Sequence, residues 1–84
     1  MPVLAIFYGV TIRMYFQQAE HNPPHIHAIY NNDVAAICIK DGEILEGYLP
    51  PKVIAMVQKW TLLHQDELLQ IWQTQTFIKL PPLK

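Results

Sequence analysis

One cysteine, three glycines and a charged fraction of only 15% mark what this 84-residue chain has little of. The single thiol, Cys38, excludes an intrachain disulfide, and its place inside an apolar run reads as a buried, inert side chain rather than a nucleophile. Charge of either sign is scarce. The net charge is −1, and the cations Arg13, Lys40, Lys52, Lys59, Lys79 and Lys84 are scattered, so no basic stripe for a nucleic-acid duplex is present. RNA contact is left without electrostatic support. No segment reaches the roughly 20 apolar residues that span a bilayer. The apolar run 3–8 is short, lacks a preceding basic segment and ends in a glycine turn, so it does not read as a signal peptide. A reducing, cytoplasmic location without membrane contact is the expectation.

What is there is a core. Apolar residues make up 51% of the chain, with two Trp, four Tyr and three Phe, enough to exclude a disordered tail. At this length one domain is expected, and it buries only somewhat over ~60% of its unfolded surface. A partner protein or a second copy would add stability, and part of the aromatic surplus suits such a contact.

The patterning is that of strands first and helices last. Residues 3–8 form a continuous apolar run, suited to a strand buried on both faces or shared with an interface. From Val10 the period is two: Val10, Ile12, Met14 and Phe16 point one way, Thr11, Arg13, Tyr15 and Gln17 the other. A hairpin around Tyr8-Gly9-Val10 joins these runs. Pro23 and Pro24 force a loop, because neither donates to a ladder. A third strand then covers residues 25–30, Asn31-Asn32-Asp33 turns the chain, and a fourth covers 34–40. Asp41-Gly42 carries a two-residue hairpin signal before a short strand from Glu43 to about Glu46.

Pro51 suits a first helical position. After it Val53, Val57, Trp60, His64, Leu68 and Ile71 share one helical stripe. An unbroken helix over 51–75 would run ~37 Å at 1.5 Å per residue, whereas a domain of this length is about 30 Å across. A break around residues 62–65 follows, with Asp66 and Glu67 favouring the start of a second helix. The fold class is therefore α+β: a four- to five-stranded antiparallel sheet, a meander of hairpins, followed by two C-terminal helices packed on one face. Residues 1–77 form the domain and residues 78–84, with Pro81 and Pro82, an extended tail.

Three of the four histidines fall within the seven residues His21-Asn22-Pro23-Pro24-His25-Ile26-His27. On a strand His25 and His27 share a face, with Cα atoms ~6.5–7 Å apart. Two readings use that face. His21, His25 and His27 together, with Glu20 beside them, could ligate a divalent metal such as zinc and activate water. No other cofactor is implied. Alternatively, antiparallel pairing of the second and third strands places Arg13 and Tyr15 with His25 and His27. Arginine then holds a phosphate while the imidazoles exchange protons, the minimal equipment for metal-independent RNA cleavage. The plain reading is a solvated face, with His25 bonded to a loop carbonyl, His27 packed on the sheet and Arg13 stacked on Tyr15. His64 reads as a histidine capping a helix corner.

Phe7-Tyr8-Gly9, the strand ending in Ile12-Arg13-Met14-Tyr15-Phe16, the His21–His27 motif, the Asp41-Gly42-Glu43 to Pro50 stretch and the helical Trp60 to Trp72 pattern together resemble one family. It is a family of short prokaryotic proteins catalogued as a domain of unknown function. The resemblance spans residue 1 to about Phe77, and the HNPPHIH motif is its most specific element. It implies a neighbour: such domains are often encoded beside a second small protein of unknown function, in pairs proposed as toxin–antitoxin-like modules. It implies no catalytic residue. The tail lies outside it.

Overall fold

The computed structural model describes residues 3–14 and 23–83. Five strands and two helices follow in order: β1 (Val3–Phe7), β2 (Val10–Arg13), β3 (His25–Tyr30), β4 (Asp33–Cys38), β5 (Ile44–Gly47), α1 (Pro51–Leu63) and α2 (Gln65–Thr74). The strands form one antiparallel meander in sequence order, so every neighbour in the chain is a neighbour in the sheet. This is the α+β architecture that the patterning predicts.

Turn chemistry sets the register. Tyr8 and Gly9 both have positive φ, 49° and 79°, the primed geometry whose twist suits a two-residue hairpin, and Phe7 pairs with Val10 across it. Asn31, at φ 54°, turns the chain so that Tyr30 pairs with Asp33. The third turn departs from the two-residue hairpin expected at Asp41-Gly42. Ile39 is fully buried and its N–H donates to the Pro24 carbonyl, so the chain stays against β3 beyond Cys38 and turns through a four-residue loop, 39–42. Gly42, at φ 75°, closes that loop by donating to the Cys38 carbonyl. Nor is β1 buried on both faces: it is an edge strand, and Ile6 is 62% exposed.

Period-two alternation sends Val10, Ile12, Ile26, Ala28, Ala35 and Ile37 to one face, where all are buried against Val53, Val57 and Trp60 of α1 and Leu68, Ile71 and Trp72 of α2. The helices break at His64, whose φ and ψ are −112° and 25°. The break resolves the length conflict, since the molecule measures 31 × 24 × 22 Å. Gln65 begins α2 and ties the junction to the sheet, its side-chain amide donating to the carbonyls of Ile39 and Lys40. Asp66 and Glu67 occupy the first turn of α2. The chain then returns to β1: Leu80 is buried, its N–H donates to the Leu4 carbonyl, and the Trp60 indole N–H donates to the Pro81 carbonyl.

Candidate functional site

The second sheet face carries everything the alternation rejects from the core. Arg13 on β2 is the direct partner of His27 on β3, His27 of Ala36 on β4, and Ala36 of Glu46 on β5. One row thus crosses four strands as Arg13–His27–Ala36–Glu46. His25 lies two residues along β3, opposite Cys38. A second row runs beside the first: Ile6, Thr11, Ile29 and Val34, with Ile6 and Val34 exposed.

Ala36 is the small member of its row, and space opens over it. A cleft of about 290 Å³ is lined by Pro23, His25, Ala36, Leu45 and Glu46. A neighbouring cleft of about 210 Å³ is lined by His27, Val34, Ala35, Ala36, Glu46 and Gly47. The two share Ala36 and Glu46, so they are halves of one trough with imidazoles on one wall and a carboxylate on the other. The far wall owes its shape to a bulge. Between Ala36↔Glu46 and Ile37↔Ile44, β5 advances two residues while β4 advances one. Leu45 is the extra residue, and it lines the His25 cleft together with Glu46, as bulges beside functional sites commonly re-aim a side chain.

The imidazoles are fixed in different ways. Nδ1 of His25 lies 2.9 Å from the Pro23 carbonyl oxygen, which can only accept; Nδ1 therefore carries the hydrogen and donates it. In the neutral ring this leaves the lone pair on Nε2. The His25 ring packs 5.1 Å from the Trp72 ring and 5.2 Å from that of His27. His27 is half-buried, and burial is the main cause holding its pKa below the usual histidine value. The neighbouring His25 lowers it further, and Glu46 partly offsets both.

The structure therefore brings Arg13, His25 and His27 onto one face. Tyr15 and His21, expected to join them, lie outside the described residues, as does Glu20. Among the described residues no group of three or more His, Cys, Asp or Glu side chains is arranged to hold a metal ion. His64 faces Trp60, with ring centres 5.0 Å apart, and Glu67, whose carboxylate is 3.2 Å from Nδ1. Sequence reasoning missed Glu46, Ala36 and Leu45. Pairing across two hairpins brings them to the histidines, and the only local signal was the glycine after Glu46. Cys38 is buried, as its apolar run predicts.

A family model described as a domain of unknown function, DUF4160, matches residues 9–73, most of the chain. The chain belongs to that family. The match covers Arg13, both histidines of the sheet face and Glu46, so the whole trough lies inside the family domain. No curated protein and no solved structure matches the chain. Among the described residues no helix is long and apolar enough to cross a membrane.

Proposed function

We propose that this DUF4160 domain is the protein-binding half of a two-protein, toxin–antitoxin-like module, and that its partner is a second small protein encoded beside it. The contact surface is the sheet face opposite the helices. The observation that carries the reading is the row Ile6–Thr11–Ile29–Val34. It sets the aliphatic Ile6, Ile29 and Val34 on three strands with the Thr11 methyl between them, with Ile6 62% and Val34 44% exposed, beside the row Arg13–His27–Ala36–Glu46. An apolar strip rimmed by polar groups is the anatomy of a docking face. Tyr8 and Tyr48, each 61% exposed, extend the aromatic surface at two corners of the sheet.

A domain this small gains stability by covering such a strip, which is the physical reason for two short chains to act as one unit. The experiment is co-expression of the chain with its gene neighbour and size-exclusion chromatography of the product. A one-to-one complex that Ile6→Asp or Val34→Asp abolishes, in variants whose circular dichroism matches the wild type, is the expected result. Separate elution of the two wild-type proteins contradicts the reading. Elution of this chain as a homodimer replaces the partner with a second copy.

A further inference from the structure

We propose that the trough over Ala36 is a metal-independent ribonuclease site for single-stranded RNA, in which His27 is the base, His25 the acid and Arg13 the phosphate anchor. The activity goes beyond the partner reading and does not depend on it. A chain that binds no partner can still cleave, and chromatography and cleavage read the two separately.

The assignment of roles comes from the surroundings of each ring. His27 is half-buried beside Ala36, where burial favours the neutral ring, the form a base needs. His25 donates through Nδ1 to Pro23 and lies against Trp72, which together fix the plane of its ring. When His25 is protonated, Nε2–H is the one remaining donor, and the cleft lined by His25 gives it somewhere to point. Two imidazoles 5.2 Å apart resist carrying two charges at once, and the arrangement an acid–base pair needs, one ring neutral and one protonated, avoids that repulsion. Arg13 stands next to His27 on the same face, and a guanidinium there matches the paired oxygens of a phosphodiester.

The reaction balances without metal, oxidant or water. The 2′-hydroxyl gives its proton to His27 while its oxygen attacks the adjacent phosphorus. A 2′,3′-cyclic phosphate forms, the bond from phosphorus to the 5′-oxygen breaks, and that oxygen takes the proton from Nε2 of His25. One proton passes from the 2′-oxygen to the 5′-oxygen, and the two rings end with their protonation states exchanged. Glu46, on the wall across Ala36, repels a phosphate and so confines it to the side where Arg13 stands. With a net charge of −1 the chain offers no track for a duplex backbone, whereas an open trough accepts a splayed single strand.

The test uses the full chain, purified alone and without a histidine tag, against an end-labelled single-stranded RNA in the presence of EDTA. The expected products end in a 2′,3′-cyclic phosphate. His27→Asn and His25→Asn are each expected to slow cleavage by at least about 100-fold, the usual contribution of a positioned acid or base. A 2′-deoxy nucleotide at the scissile position should be inert. No cleavage by the wild type, cleavage of the deoxy substrate, or cleavage undiminished in both folded histidine variants overturns the proposal. If the variants fail to fold, the wild-type pH–rate profile decides instead. Among the described residues, Arg13 from β2, His25 on β3 itself and Glu46 from β5 are the charged or titratable groups in the rows around His27, and β4 contributes Ala36 directly opposite it and the Cys38 thiol one pair along, opposite His25. A bell-shaped profile within roughly pH 5–8 supports the paired imidazoles, and a flat one overturns them.

Discussion

Arg13 and His27 are direct cross-strand partners on the sheet face that the core does not use. The pairing follows from strict alternation along β2 and β3, with one two-residue turn before β2 and another after β3. A one-residue slip in either strand would send Arg13 or His27 into the apolar core, where a charge has no counterpart, so the register is strongly specified.

Gly47 holds the opposite wall of the trough in place. A Cβ built there meets the Val34 carbonyl oxygen at 2.1 Å and the Ala35 Cα at 2.9 Å, and its φ is +89°. Gly47→Ala is expected to cost roughly 2–4 kcal/mol, combining left-handed strain with overpacking. Gly9→Ala shares the strain but not the clash, since its nearest contact is a Tyr30 ring carbon at 3.5 Å, and should cost only about 1–2 kcal/mol. Urea denaturation of both variants measures the difference. Equal costs contradict the close approach of β5 to β4.

The His27 shift makes a pH prediction. Its folded-state pKa lies below the ordinary 6.5. Above 6.5 both folded and unfolded chains carry the neutral ring, and this residue contributes nothing to pH dependence. As pH falls through 6.5 the unfolded chain takes up the proton first, so stability declines. The decline ends once pH is below the folded-state pKa. His27→Asn should remove this part of the acid-side slope, as thermal melts across that window will show. An unchanged slope contradicts the burial of His27.

How much of this was legible in the sequence differs between the elements and the trough. Hairpins at Tyr8-Gly9 and Asn31-Asn32, the alternation of β2 and β3, and a helix break forced by length against diameter all follow from local rules. The union of Arg13 with the histidines needed only the antiparallel pairing of adjacent strands. The wall facing them did not follow. Leu45 lines the cleft because β5 carries one extra residue between its pairings with Ile37 and Ala36, and a run such as Ile44-Leu45-Glu46-Gly47 does not show which residue will be the extra one. The Asp41-Gly42 turn was misjudged because the ladder with β5 stops at Cys38, two residues before that local signal. Ile39 is instead drawn into the core with its N–H on the Pro24 carbonyl, which leaves a four-residue loop.

The returning tail should matter to stability. Leu80 is buried and bonded through its N–H to Leu4, and the Trp60 indole donates to Pro81. Leu80→Ala is expected to cost about 2 kcal/mol, the lower end for such truncations because a terminal segment relaxes readily. Exchange of the Trp60 indole hydrogen should quicken in the same variant, and an indole resonance that exchanges at the wild-type rate contradicts the contact.

Cys38 gives an internal clock for opening of the sheet. It is buried, so a thiol reagent should modify it only through unfolding, and denaturant should raise the rate in step with the unfolded fraction. Rapid modification of the native chain contradicts its placement in β4.

The most direct measurement of the central claim is chemical-shift mapping of the isotope-labelled chain titrated with the product of the neighbouring gene. The account predicts that amides of Thr11, Arg13, His27, Ile29, Val34 and Ala36 shift together while those on the exposed side of α1 stay still. Shifts confined to the helices, or none at saturating partner, would contradict it.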